Sequence, residues 1–125
     1  MAGDAVIAAG FGFRSAATAD SLADALARAG GAPDLLATVA DKAQSPAILD
    51  LAARKRLPVA AVGAAALAAQ TTLTQSGASL LAHGTGSVAE AAALAAAGPS
   101  ARLMGRRAIS GDGLATCALA EGASS

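Results

Sequence analysis

Apolar and polar positions in the first half of this chain fall into short runs of two alternating kinds. Ala5 to Gly10 is unbroken and apolar, ending in glycine, which is the pattern of a strand buried on both faces. From Thr18 to Ala29 the apolar residues recur at helical spacing, with Leu22 and Leu26 four apart and Gly30-Gly31 as the stop. Leu35 to Ala40 predicts a second strand. Ser45-Pro46 opens a second helix, where Ser is expected to cap free amides and Pro loses no bond at the first helical position. Ile48, Leu49 and Ala52 form its apolar face, and Arg54-Lys55-Arg56 close it, cations being favoured at the negative helix end. Val59 to Val62, after Pro58, predicts a third strand. Strands and helices alternating through short connections imply a parallel sheet covered by helices.

The second half carries weaker punctuation. Ala64 to Ala69 reads as a short helix, Gln70 to Gln75 as a polar loop, and Ser76 to Ala82 as a helical turn. Ser87 to Ala97 is a helix, with Ser87 and Glu90 at capping-box spacing and Gly98-Pro99 as its end. Ala101 to Arg107 and Leu114 to Leu119 flank a turn-rich segment, Ala108 to Gly113, and predict an antiparallel terminal pair. The expected fold class is α/β. It is a three-layer single domain over residues 1–125, with a largely parallel sheet, helices on both faces and an antiparallel C-terminal strand pair. Residues 121–125 read as a frayed tail.

Composition narrows the possible functions. A chain of 125 residues is the size that one hydrophobic core organises. Lys plus Arg and Asp plus Glu stand at 9 each, so the basic excess that non-specific nucleic-acid binding needs is missing. Two Phe and no Tyr or Trp leave little for stacking on bases or sugars. The single cysteine, Cys117, excludes an internal disulfide framework and a zinc-cysteine cluster, and fits a reducing cytoplasm. Its apolar neighbours make it inert core. The apolar stretch Val59 to Ala69 is too short to span a membrane, and the acid in the first residues does not fit a signal peptide.

Candidate chemistry concentrates in two glycine-containing segments and one charged pair. Gly10-Phe11-Gly12-Phe13-Arg14-Ser15 follows the first strand, at the edge where open α/β sheets bind ligands. Gly10 and Gly12 would let backbone approach a ligand, and Arg14 would contact a carboxylate or phosphate. The pattern is an incomplete dinucleotide fingerprint, and a tight turn with a solvated arginine explains it as well. Alternation turns one of Phe11 and Phe13 inward. Gly84-Thr85-Gly86-Ser87 leads into a helix and would offer amides to an anion, although Ser87 and Glu90 could simply cap that helix. It lacks the lysine of a Walker loop. Asp41-Lys42 follows the second strand, where Lys42 would meet an acidic ligand unless the pair is merely exposed. His83 has no second histidine to share a metal with, so no metal site is expected. Arg102 and Arg106 fall on one face of the fourth strand and Arg107 on the other.

The segments "VIAAGFGFRSAAT", "ADKAQSPAILDLAARKRLPV", "GTGSVAEAAALAAAG" and "RRAISGDGLATCALA" together resemble the family of CobE and the carboxy-terminal domain of CbiG, of cobalamin biosynthesis. The likeness runs in order along nearly the whole chain. It implies a cytoplasmic protein that binds or escorts a methylated, polycarboxylate precorrin or corrin intermediate, with other cobalamin-biosynthesis enzymes as expected partners. The implied ligand-binding set is Gly10, Phe11, Gly12, Phe13, Arg14, Lys42, Gly84, Thr85, Gly86 and Ser87. Fused CbiG proteins resemble hydrolases that open a lactone on a cobalt-precorrin, but they carry an additional amino-terminal region. Arg106-Arg107 stand where such relatives tend to have Lys, and Arg is a poor base. Two readings therefore remain beside escort. One is an enzyme on the same substrate class, with Asp41, Lys42 or Glu90 as acid or base. The other is a nucleotide-binding regulatory module. Neither cofactor nor metal is expected.

Overall fold

A computed structural model describes residues 5–77, 80 and 85–123 of the chain. Its elements run β1 (Ala5–Phe13), α1 (Ala19–Ala29), β2 (Leu35–Val39), a 3-10 turn (Ala40–Lys42), α2 (Pro46–Lys55), β3 (Val59–Val62) and α3 (Ala64–Ala68). Helix α4 (Val88–Ala97) and strands β4 (Arg102–Leu103), β5 (Ala108–Ile109) and β6 (Ala115–Ala123) follow. The helical turn expected over Ser76 to Ala82 falls largely outside the described residues.

The strands form one sheet in the order β3-β2-β1-β6-β4, with β5 also paired to β6. β1, β2 and β3 are parallel, in the register Ala9 to Leu36 and Ala37 to Ala60. β6 lies antiparallel to β1 along its length, from Ala5 opposite Ala123 to Phe13 opposite Ala115. Each face carries helices. Leu22, Leu26, Ile48 and Leu51 from α1 and α2 pack with Ala9, Phe11, Leu36, Cys117 and Leu119 on one side. On the other, α3 and α4 meet the opposite pleat, including Ala8, Ala37, Val39, Val62 and Ala120. The architecture is the three-layer α/β domain that the element order predicts. Among the described residues no helix is long and apolar enough to cross a membrane.

Several boundaries differ from expectation for local reasons. β1 does not stop at Gly10: the antiparallel partner β6 supplies backbone bonds as far as Phe13, so the first glycine segment is strand, not loop. The same pairing carries β6 through Glu121 and Gly122 to Ala123, where a frayed tail was expected; Ser124 and Ser125 lie outside the described residues. The terminal antiparallel pair exists as two short pieces, β4 and β5, against β6. Because β4 ends at Leu103, alternation along a strand does not reach Arg106 or Arg107. Ser45 is the α2 N-cap without a side-chain bond, whereas Thr18 and Ser21 form a reciprocal capping box that opens α1.

Helix α4 lies unusually close to the sheet. A Cβ at Gly10 would come within 2.0 Å of the Ala89 carbonyl oxygen and 2.5 Å of the Ala93 nitrogen. One at Gly122 would meet the Ala97 carbonyl oxygen at 2.0 Å. Ala89, Ala93 and Ala97 are four apart, so a stripe of the smallest side chains rests on glycines of two neighbouring strands. Gly10→Val is therefore expected to cost about 3 kcal/mol in urea denaturation, through overpacking. Gly63→Ala, where nothing lies within 4 Å of the added methyl, serves as the control and should stay within about 0.5 kcal/mol.

Candidate functional site

The carboxyl ends of β1 and β2 bring Phe13, Arg14 and the Asp41-Lys42 turn to one edge of the sheet. Lys42 follows β2 directly, in the 3-10 turn, and bends back over β1. Its ammonium donates to the Phe13 carbonyl at 3.0 Å and stands 5.1 Å from the centre of the Phe13 ring. A cation over an aromatic face is attracted by the ring's quadrupole, so both contacts hold the amine in place. Beside it opens a recess of about 300 Å³ lined by Phe13, Ser15, Ala17, Lys42, Ser45, Pro46 and Ala47. Neither Lys42 nor the exposed Arg14 has an acidic partner among the described residues. Asp41 is exposed and likewise unpaired.

The remaining residues of the first segment serve the fold. Gly10 faces α4, and Gly12 faces Thr116, Val88 and Ala89. Phe11 is wholly buried among the side chains of the α1 and α2 face, and Phe13, two residues on in the same strand, packs half-buried against the same cluster, so the expected split of the pair does not occur: residues two apart in a strand share a face. Its carbonyl accepts from the buried Thr38 hydroxyl at 2.8 Å. Cys117 is buried in the same core, which pushes its thiol pKa up.

The second segment is followed directly by Val88 and Ala89, which abut Gly12. Its own space is filled from within. A Cβ on Gly86 would lie 2.3 Å from the Thr74 carbonyl oxygen and 2.6 Å from the Gln75 side chain. The Gly86 carbonyl accepts from the Ser76 amide at 2.7 Å. Thr85 and Ser87 are buried; the Ser87 hydroxyl accepts from the Glu90 amide, while the Thr85 hydroxyl has no hydrogen-bond partner among the described residues. Gly84 and His83 lie outside the described residues.

Glu90 is fully buried, yet it does not complete a capping box. One carboxylate oxygen accepts from the Leu73 and Thr74 amides at 2.7 and 2.8 Å. The other accepts from the Thr74 hydroxyl at 2.6 Å and the Arg107 amide at 2.8 Å. Burial pushes its pKa up, but the hydrogen bonds from Thr74, Arg107 and Leu73 together outweigh that and hold it below the ordinary value. The residue joins the 72–76 loop, the start of α4 and the approach to β5. A carboxylate with every oxygen so engaged is poorly placed to exchange protons with a ligand.

Asp112 is a second anchor that sequence reasoning missed. Its carboxylate accepts from the hydroxyls of Ser110 and Ser21 and from the Leu114 amide, which lowers its pKa to about 2. The Asp-Gly turn was visible in sequence; its bond to Ser21, in the first turn of α1, was not. Ser15 closes the first candidate segment, whereas the lining residues Ala17, Ser45, Pro46 and Ala47 were missed as site residues. The signal available was the Ser-Pro helix start placed just beyond a parallel strand.

The family model described as Cobalamin synthesis G C-terminus matches residues 7–120. The chain belongs to that family. Among solved structures, this family member is similar to CobE, a protein from the cobalamin (vitamin B12) biosynthetic pathway. The two share 31% identity at a TM-score of 0.86, over 97% of this chain and 93% of that one. It is also similar to the cobalamin biosynthesis protein chiG from Agrobacterium tumefaciens str. C58. There the identity is 35% and the TM-score 0.72, over 96% of this chain and 100% of the other. No curated protein sequence matches. The CobE/CbiG C-terminal assignment and the α/β fold thus agree with the reading of the segments.

Acid should expose the anchoring role of the two carboxylates. Both have folded pKa values below their unfolded ones, so their contribution is full above the ordinary carboxylate range, about pH 4–5. It is lost as pH falls through the folded values, down to about 2 for Asp112. Glu90→Gln turns an amide NH2 toward backbone donors and should cost about 3 kcal/mol at neutral pH. Urea denaturation at pH 7 and pH 3 should find the variant's deficit smaller at the lower pH.

Proposed function

We propose that this protein binds an acid-fringed corrin precursor of the cobalamin pathway at the Phe13–Lys42 edge and releases it chemically unchanged, as an escort. The supporting observation is the Lys42 ammonium, held beside an open recess and lacking a carboxylate partner among the described residues. Corrin precursors are broad apolar rings carrying carboxylate arms. A cation beside apolar Phe13, Ala17, Pro46 and Ala47 suits both parts of such a ligand. Exposed Arg14 adds a second cation that can meet another arm. Gly10, Phe11, Gly86 and Ser87 support this edge from beneath through their packing and contact the ligand only if that packing opens.

Family membership and the likeness to two cobalamin-biosynthesis proteins support the pathway; the chemistry of the edge supports binding over catalysis. Glu90 is consumed by structure, and exposed Asp41 has no partner among the described residues to orient its carboxylate. The proposed place of action is the cytoplasm, with other enzymes of the pathway as recipients.

Titration with polycarboxylate corrin intermediates, followed by their visible absorption, tests the reading. A saturable band shift that weakens as salt rises is expected, because charge pairing contributes. Single-turnover incubation should return the intermediate intact. Absence of any shift overturns binding, and appearance of a product overturns escort.

A further inference from the structure

We propose that the recess grips one carboxylate arm and the adjoining edge of the ring, leaving most of the macrocycle outside the protein. This rests on the functional reading above and concerns how the ligand is held. A cavity of about 300 Å³ stands at the lower end of the roughly 300–1,000 Å³ that enclose a drug-sized ligand. A tetrapyrrole ring with its fringe of acidic arms is larger than that. The lining matches an edge instead. Phe13, Ala17, Pro46 and Ala47 supply a short apolar wall, the Ser15 and Ser45 hydroxyls add polar contacts, and Lys42 is its one charged group.

Lys42 is prepared for a single arm. Of the three ammonium donors, one is spent on the Phe13 carbonyl, and two are left for the oxygens of a carboxylate. At Gly86 the second glycine segment is packed against Thr74 and Gln75, and none of its described residues lines the recess. Ser45 makes no side-chain capping bond, which leaves its hydroxyl available to the recess it lines. A ligand held this way keeps a free face and free arms, so a second protein can engage it before Lys42 lets go. Direct transfer of an intermediate needs such partial exposure.

The test uses the intact chain with hydrogenobyrinic acid, a fluorescent cobalt-free polycarboxylate corrin, and the same ring with its arms amidated. Acrylamide, a neutral quencher, should still reach the bound ring with at least half its efficiency toward the free ring. Lys42→Met should weaken binding about tenfold, and the amidated ring should bind the unaltered protein about tenfold more weakly. Lys42→Arg should recover most of the loss, Lys55→Met should change nothing, and thermal unfolding should verify that each variant folds. Quenching cut below a tenth would show an enclosed ring and overturn the inference alone. Undiminished affinity in Lys42→Met would overturn it too, placing the ring elsewhere on a protein that still binds it. If the unaltered protein binds neither ring, the functional reading falls and takes this inference with it.

Discussion

The closeness of α4 to the sheet is the constraint on which the rest of this protein depends. Its backbone sits where a methyl group on Gly10 or Gly122 would have to be, and alanines four apart form the contact. Interiors are packed too densely for such an approach to be accommodated by shifting neighbours. The depth of α4 fixes where its first turn lies, and with it Ser87, Glu90 and the loop that Glu90 holds. On that face α4 meets the sheet through backbone and alanine, while the recess holding Lys42 lies at the end of the other, beside α2.

Electrostatics divides the molecule in the same way. The described carboxylates other than Asp41 are engaged with the protein itself: Glu90 with amides, Asp112 with serines, and Asp20, Asp24, Asp50 and Glu121 with arginines. Asp34 accepts from the Ile7 amide. Lys42 and Arg14 have no such partner among the described residues, nor do Lys55, Arg56, Arg106 and Arg107; at the sheet edge two unpaired cations stand beside the single unpaired Asp41, so that edge keeps a positive excess on a chain whose formal net charge is zero. Net composition argued only against nucleic acid; the distribution of pairs is what makes an acidic ligand attractive.

Family membership and local geometry contribute separately. The likeness to CobE and chiG concerns the whole chain and its fold, while the recess is a matter of a few side chains at two strand ends. Fold by itself does not assign chemistry. Escort is favoured by the contrast between Lys42, unpaired beside the recess, and Glu90, a buried carboxylate whose oxygens are all engaged.

Much of the architecture was legible beforehand because it is local. Helix α1 begins at a polar cap and ends at Gly30, β3 follows Pro58, and Gly98 stops α4; each signal lies within a few residues of the boundary it sets. The position of Lys42 after the second strand, and of Arg14 after the first, came from the same short-range pattern. Unreadable were the contacts between segments distant along the chain: β6 extending β1 to Phe13, Asp112 reaching Ser21, and Glu90 reaching Leu73, Thr74 and Arg107. Gly10 shows the limit well. Sequence alone determines that backbone can come close there, since no Cβ stands in the way; only the tertiary fold decided that the backbone arriving is α4 and not a ligand. That choice depends on packing between residues about eighty positions apart, which carries no local mark.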